Sequence, residues 1–196
     1  MELTEKYKLE QEDVIRRGFE ARNIYINSAR FMLLKAFCEG FSTILSVGCG
    51  SYEPLIIKAT HACDVSFLSL EFLRSQGWKG VFSECSCDDL PFSPLSFDVA
   101  VCSEVIEHLP DFESVKKTFL ELNRVAHNWI LTTPCNPLGP KNPEPTHKFA
   151  FSLEQLKEFT KDLNVKIFKD DLHYYVIKKE DGTLPEIFNR HFAQAR

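Results

Sequence analysis

Apolar runs alternate with amphipathic stretches along most of the chain from residue 41 onward. Each run has the length and near-continuous hydrophobicity of a strand that is buried on both faces of a sheet. The predicted strands of this kind are Thr43–Val47, His61–Val65, Gly80–Cys85, Phe97–Cys102 and Trp129–Thr133. Two later runs, Val165–Phe168 and Tyr174–Lys178, predict a terminal strand pair. Strands that alternate with helices indicate a parallel sheet covered by helices on both faces.

Between these runs, apolar residues recur at helical spacing. The predicted helices are Pro54–Thr60, Phe67–Gln76, Glu104–His108, Phe112–His127 and Ser152–Leu163. Ser66 is expected to cap the second of them, and Ser152 with Gln155 forms a capping-box pattern at the last. Residues 4–39 predict further helices, and five prolines predict a rigid loop over Pro134–Pro145. We therefore expect a helical extension over residues 1–40 and one domain over residues 41–196.

Composition narrows the class of protein. The 196 residues carry 23 basic and 28 acidic side chains, a net charge of −5, and 44% of them are hydrophobic. These values exclude a disordered or low-complexity chain. No apolar run reaches the ~20 residues that span a bilayer, and the N-terminal residues lack the apolar region of a secretory signal. With seven scattered cysteines, this predicts a cytoplasmic protein with reduced thiols and no membrane segment, while the oligomeric state stays open.

The candidate chemistry lies where the predicted strands end. In an open parallel sheet, ligands bind beyond the carboxyl ends of the strands, at the point where the strand order reverses. Gly48 and Gly50 follow the first predicted strand and precede a helix, so the backbone there can approach a ligand closely. Asp64 ends the second strand, where a carboxylate can hold the hydroxyls of a ribose. The alternative is that Asp64 caps the next helix.

Four segments, taken together, carry a resemblance to a known family. They are ILSVGCG at 44–50, ACDVS at 62–66, DDLPFSPLSFDVAV at 88–101 and SEVIEHLPD at 103–111. Their order and spacing resemble those of the class I S-adenosylmethionine-dependent methyltransferases. The resemblance implies an α/β, Rossmann-like, doubly wound sheet of seven strands, six parallel and one antiparallel. It also implies S-adenosylmethionine as cofactor and in-line transfer of its methyl group, and we expect a small-molecule acceptor.

The same resemblance implies roles for individual residues. The backbone around Gly48 and Gly50 would meet the methionine part of the cofactor, and Asp64 would bind the ribose hydroxyls. Residues 86–88 would frame the adenine, and Ser103 would lie near the methyl group. The implied cofactor contacts are Ser46, Gly48, Cys49, Gly50, Asp64, Val65, Ser86, Cys87, Asp88 and Ser103.

Three positions depart from the family's pattern. The family usually has an acid where this chain has Ser46 and Ser86, and a small residue where it has Tyr52. A serine can still form hydrogen bonds, but without charge assistance. These departures leave open a non-catalytic binding protein that retains the fold.

An acid–histidine cluster follows the fourth predicted strand. Glu104, Glu107 and His108 stand at i, i+3 and i+4, which places them on one face of a helix, and His147 follows the fifth strand. This set suits a divalent ion and resembles the metal site of the small-RNA 3′-terminal 2′-O-methyltransferases. The alternative function is therefore a metal-dependent methylation of an RNA 3′ end. Because the net charge is negative, nucleic acid is disfavoured, and we expect no metal, with Glu104, His108 and His147 as candidate general bases.

Overall fold

The computed structural model describes residues 28–135 and 147–194. In chain order the elements are α1 (Ala29–Cys38), β1 (Ile44–Val47), α2 (Glu53–Ile57), β2 (His61–Asp64), α3 (Phe67–Ser75), β3 (Val81–Glu84), β4 (Phe97–Ser103), a 3₁₀ turn (Ile106–His108), α4 (Phe112–Val125), β5 (Ala126–Pro134), α5 (Leu153–Phe159), β6 (Lys166–Lys169), β7 (His173–Lys178) and α6 (Glu186–Gln194). The first helix predicted in the N-terminal extension and most of the proline-rich loop, residues 136–146, lie outside the described residues.

The strands form one sheet in the order β3-β2-β1-β4-β5-β7-β6. β7 runs antiparallel to both β5 and β6, while the other strand pairs are parallel. The predicted architecture of six parallel strands and one antiparallel strand is therefore confirmed. The strand order reverses between β1 and β4, so their carboxyl ends border the crevice in which this class of sheet binds ligands.

Helices cover both faces of the sheet, as the alternating pattern predicted. On one face, α4 buries Val115, Phe119 and Leu122 in a cluster that also contains Trp129 of β5. On the other face, α1 buries Phe37 in a cluster that contains Phe188 of α6. Burial of these side chains removes apolar surface from water and fixes the helices on the sheet. Within the described residues, no helix has both the length and the apolar character that crossing a membrane requires.

Several element boundaries differ from the sequence prediction for local reasons. α2 ends at Ile57 because Lys58 takes a left-handed conformation, with φ 57°, and its N–H bonds back to the carbonyl of Pro54. α4 ends at Val125, since the next residue, Ala126, already pairs with β4. Ser66 stands at the start of α3, but its side chain forms no capping hydrogen bond.

Candidate active site

A cavity of about 280 Å³ opens at the carboxyl ends of the strands around β1 and β2. Its lining residues are Gly48, Asp64, Val65, Cys85, Ser86, Cys87, Asp88, Val105, His108, Leu109 and Pro110. Six of the ten implied cofactor contacts are in this list, namely Gly48, Asp64, Val65, Ser86, Cys87 and Asp88. The volume is at the lower end for a ligand pocket, which suits part of a nucleoside cofactor rather than all of it.

Gly48 is the residue of the glycine loop that lines the cavity. Its φ is +61°, a conformation that side-chain-bearing residues rarely adopt. A Cβ built at this position would lie 2.5 Å from Cγ2 of Val105, well inside the contact distance of two carbons. Val105 thus fills the space where a side chain would begin, so this position requires glycine, and its backbone lines the cavity as expected for a close approach of the cofactor.

Asp64 both closes the glycine loop and faces the cavity. Its carboxylate accepts the N–H of Gly50 and the N–H of Ser66, each at 2.9 Å, and the residue is 1% exposed. Burial raises the pKa of Asp64 to about 6, although these hydrogen bonds favour the charged form. The carboxylate has further lone pairs that can accept hydrogen bonds from the two hydroxyls of a ribose. The alternative prediction was that Asp64 caps α3. Its carboxylate does accept the N–H of Ser66, the residue that precedes this helix.

The segment that the resemblance implies to frame the adenine is held against α4 by hydrogen bonds. Ser86 donates a hydrogen bond to the carboxylate of Asp88, so an acid does stand beside the position where Ser86 replaces one. Arg124 donates to the carbonyl of Leu90 at 2.8 Å and to that of Phe92 at 2.6 Å. Leu90 itself is buried in the core. These bonds hold the loop in place, and the side chain of Leu90 packs in the core rather than lining the cavity.

Two residues of the glycine loop, and Ser46 of the preceding strand β1, contribute no side chain to the cavity lining. The thiol of Cys49 packs in a cluster with Leu73 and Trp78, and burial raises its pKa well above the ordinary value. The ring of Tyr52 packs edge-on against Phe72, with 5.0 Å between the ring centroids. Ser46 is fully buried. The backbone of the loop, rather than the side chains of Cys49 and Tyr52, is thus positioned to meet a cofactor, and Tyr52 does not crowd it.

Beyond the cavity, Ser103 ends β4 at the crevice and joins a polar network. Nη1 of Arg30, in the first turn of α1, donates to Ser103 Oγ at 2.7 Å. Oε1 of Glu104 lies 3.5 Å from the same Arg30 atom and 2.9 Å from Oγ1 of Thr132. Nε2 of His173 lies 3.6 Å from the other oxygen of Glu104. The network places the Glu104 carboxylate next to Ser103, the residue that the resemblance implies to lie near the methyl group.

The structure corrects the expected geometry of Glu104. This residue has φ 59°, and the helical turn begins only at Ile106. Its N–H bonds to the carbonyl of Thr132 at 3.0 Å, which directs the chain across to β5 before the turn begins. Glu104 is therefore not on one helix face with Glu107 and His108, and the expectation of a shared face was wrong.

Glu107, His108 and His147 do come together. Each offers one potential ligand atom, and these atoms lie within 4.8 Å of one another. The carbonyl of Glu107 accepts the N–H of Lys148 at 2.8 Å, which brings the segment after the proline-rich loop to this side. The rings of His108 and His147 meet edge-on, 4.8 Å apart. The structure thus gathers three of the four residues of the alternative metal set.

Glu107 is buried completely, and its environment favours the neutral acid. Burial, followed by the nearby charge of Glu104, raises the pKa of Glu107 well above its usual range. Oε2 accepts a hydrogen bond from Thr133 at 3.0 Å. Oε1 accepts none from the part of the chain that the structure describes, and it lies 4.0 Å from Nε2 of His108. A cation at this point would be the natural counterion for the charged form.

Sequence reasoning missed the residues that reach the site from distant parts of the chain. Asp170 accepts hydrogen bonds from Tyr175 at 2.8 Å and lies 3.0 Å from Nε2 of His191. Although burial opposes ionisation, hydrogen bonds from His173 and His191 hold the pKa of Asp170 well below its usual range. This carboxylate orients His173, which in turn faces Glu104. No local motif marks these residues.

Residues 45–128 match a family model described as a methyltransferase domain. Residues 45–128, fewer than half of the chain, therefore carry a methyltransferase domain. The methyltransferase assignment, the enzyme class and S-adenosylmethionine as cofactor, all expected from the sequence, are thereby confirmed together with the fold. The non-catalytic alternative loses its support. The roles of single residues are not tested by this match and stay predictions.

Solved methyltransferase structures share the fold of this domain at low sequence identity. A methyltransferase from Thermotoga maritima, described as a possible histamine N-methyltransferase, is 16% identical with a TM-score of 0.66, and the match covers 86% of this chain and 95% of that one. The 1,6-didemethyltoxoflavin-N1-methyltransferase of Burkholderia thailandensis, solved with S-adenosylhomocysteine, is 13% identical with a TM-score of 0.57, covering 90% and 89%. The methyltransferase domain of bacterial CtHen1 is 19% identical with a TM-score of 0.59, covering 78% and 98%. No curated protein matches the sequence.

Proposed function

We propose that this methyltransferase transfers the methyl group in line to a small-molecule acceptor bound beside Ser103 and Glu104. S-adenosylmethionine supplies an already activated methyl group on a sulfonium, so the protein has to align the acceptor and exclude water. The observation that carries the proposal is the half-buried polar network in which Arg30, Thr132 and His173 surround the Glu104 carboxylate.

The charge of this network favours a small molecule over a nucleic acid. Glu104 and Asp170 are both carboxylates, and the guanidinium of Arg30 is already hydrogen-bonded to Ser103 and next to Glu104. A phosphate backbone entering here would meet negative charge, which is repulsive at short range. A small acceptor with an amine or a hydroxyl group would instead find a hydrogen-bond acceptor in Glu104.

Glu104 is the candidate general base for such an acceptor. Its side chain keeps 23% of its surface exposed, so it can be reached from the crevice. The three neighbours that hold it are a donor hydroxyl, a guanidinium and an imidazole, and these fix the carboxylate without covering it. For a hydroxyl acceptor, the proton would pass to this carboxylate as the bond from oxygen to the methyl carbon forms and the bond from that carbon to the sulfonium sulfur breaks. An ammonium acceptor would give up its proton to the carboxylate first, because it has no lone pair for the methyl carbon.

The test is methyl transfer from labelled S-adenosylmethionine to a fractionated cell extract, with and without a divalent ion. We expect label in a product that passes an ultrafiltration membrane and separates from S-adenosylmethionine by chromatography, with no dependence on the ion. Glu104→Gln should lower turnover on that fraction while leaving S-adenosylhomocysteine binding intact. Glu113→Gln, on the outer side of α4, is the matched control. Label that enters only the RNA fraction would contradict the proposal.

A second candidate function rests on the grouping of Glu107, His108 and His147. These residues, with a divalent ion, would support the metal-dependent methylation of an RNA 3′ end that the sequence resemblance suggested. A tetrahedral ion with ligands at ~2.1 Å holds them about 3.4 Å apart, so a group that spans up to 4.8 Å would have to close slightly around it. The position of Glu104 in a different network is the reason that this candidate ranks second.

Calorimetric titration with Zn²⁺, Mn²⁺ or Mg²⁺ separates the two candidates. The second candidate requires stoichiometric uptake that His147→Ala abolishes. Glu104→Gln then reports whether the fourth carboxylate joins the site. If no ion binds and transfer to small molecules proceeds, the second candidate is excluded. The cytoplasmic location expected from the sequence stays a prediction.

A further inference from the structure

Glu53 places a buried carboxyl group at the crevice between β1 and β4. It is the first residue of α2 and is 6% exposed. Its Oε1 accepts a hydrogen bond from the hydroxyl of Ser46, at 2.6 Å. Ser46 lies on β1 and Ser103, which also interacts with Glu53, ends β4. The carboxyl group therefore lies at the point where the strand order reverses, on the side of Gly48 opposite Asp64.

We propose that the Glu53 carboxylate binds the α-ammonium group of the cofactor's methionine part. The family resemblance assigns that end of the cofactor to the glycine loop and to Ser103, and Glu53 lies between them. This chain has Ser46 at a position where the family usually has an acid. Because Ser46 Oγ and Glu53 Oε1 are only 2.6 Å apart, Glu53 delivers a carboxylate to almost the same point in space. The inference rests on the cofactor and not on the acceptor proposed above.

Among the described residues, the only cation that faces Glu53 is one that it shares with other groups. The charged groups that face it are Arg30 from α1 and Glu104 after β4, and the thiols of Cys38, Cys49 and Cys102 are also near. Arg30 is hydrogen-bonded to Ser103 and close to Glu104, so its charge is shared. As a consequence, burial raises the pKa of Glu53 to about 8. An ammonium group beside the carboxylate would reverse this balance.

If Glu53 had only a structural role, it would form the same hydrogen bond with Ser46. The test must therefore report on the amino group of the ligand. The two probes are S-adenosylhomocysteine and 5′-methylthioadenosine, which shares the adenosine and the sulfur but has no amino-acid group. Glu53→Gln keeps the size of the side chain and its hydrogen bond to Ser46. We expect it to weaken S-adenosylhomocysteine binding by roughly 10- to 100-fold, as for the loss of a charged hydrogen bond. Binding of 5′-methylthioadenosine should be unchanged, which also shows that the variant is folded.

The position of the carboxylate is tested by moving it. In a variant that combines Glu53→Gln with Ser46→Asp, the acid returns to the position that is usual in the family. We expect S-adenosylhomocysteine affinity to recover by most of the factor lost. Glu158→Gln, which removes an exposed carboxylate on α5 that pairs with Lys161, should change neither affinity.

Proton release gives an independent readout. Because the pKa of Glu53 is about 8 in the free protein, most of this carboxyl is protonated at pH 7, and binding of the ammonium should release that proton. The heat of S-adenosylhomocysteine binding should then vary with the ionisation enthalpy of the buffer. That dependence should vanish in Glu53→Gln and should be absent for 5′-methylthioadenosine.

Three results would overturn the inference. They are equal losses of affinity for both probes, no loss for S-adenosylhomocysteine, and no recovery in a double variant that still binds 5′-methylthioadenosine. A protein that binds neither probe would overturn it together with the cofactor's binding mode. A failure of the proposed acceptor chemistry would look different, since binding would be intact and only transfer would be missing.

Discussion

Gly48 offers the sharpest test of the cofactor loop, because the structure fixes what an added methyl group would meet. In Gly48→Ala the new Cβ would lie 2.5 Å from Cγ2 and 3.0 Å from Cγ1 of Val105. Carbon atoms in contact are ordinarily about 3.5–4.0 Å apart. Val105 is 8% exposed and is followed by the fully buried Ile106. Its side chain can therefore yield mainly toward the cavity that it lines.

The expected cost has two parts. A residue with a side chain pays about 1–2 kcal/mol in the left-handed conformation that Gly48 adopts. Overpacking of a filled interior adds typically about 1–3 kcal/mol. The free energy of unfolding should thus fall by about 2–5 kcal/mol in Gly48→Ala. Displacement of Val105 into the cavity should also weaken S-adenosylhomocysteine binding.

Two comparisons separate these parts, with urea unfolding as the assay and calorimetry for binding. Gly182→Ala has a similar φ, +68°, and open space around the added atom, so it should show the backbone cost alone. In a Val105→Ala background, Gly48→Ala should cost about 1–3 kcal/mol less, because the clashing methyl groups are gone. If Gly48→Ala is no more costly than Gly182→Ala and binds S-adenosylhomocysteine normally, the reasoning about this loop is refuted.

Further predictions concern charge and the adenine side. Asp64→Asn should weaken S-adenosylhomocysteine binding by about 1–3 kcal/mol, measured by calorimetry. Burial raises the pKa of Asp64 to about 6 and that of Glu53 to about 8. Affinity for S-adenosylhomocysteine should therefore rise in two steps between about pH 5 and about pH 9. Asp64→Asn should remove the lower step, and persistence of that step would contradict the assignment. The sign for folding is opposite, since the stabilising contribution of the Asp64 carboxyl is complete below its unfolded value of 3.8 and is lost as the pH rises through about 6. Arg124→Lys should cost about 1–2 kcal/mol in urea unfolding through its bonds to the carbonyls of Leu90 and Phe92; unchanged unfolding would show that these bonds do not hold the loop.

The fold was predictable because its signal is local and repeated. Each buried strand is a short apolar run, and each helix has an apolar stripe. The right-handed connection between parallel strands then determines how these elements are arranged. The boundaries that failed are set by contacts across the sheet. Glu104 leaves the helix because its N–H bonds to Thr132, a residue of β5, and no periodicity within SEVIEHLPD encodes that partner.

The residues of the candidate site also divide into some that could be predicted from the sequence and some that could not. Gly48, Asp64 and the residues at 86–88 could be predicted, since parallel topology brings the carboxyl ends of β1, β2 and β3 to one edge. Arg30 and His173 could not, because their contacts with Ser103 and Glu104 join residues about 70 positions apart. Side-chain chemistry alone gives no reason to pair them before the fold is known.

Ser46 illustrates why a departure from a motif is weak evidence for lost function. A motif compares residue types at fixed positions, whereas a ligand meets charge at a point in space. In this chain the seven-residue step from Ser46 to Glu53 passes through the glycine loop and returns to within 2.6 Å. A serine at the first position then becomes a hydrogen-bond donor that holds the relocated carboxylate. Ser46, which suggested a fold that had lost its cofactor, is therefore compatible with a site that binds the cofactor when the Glu53 carboxylate is charged.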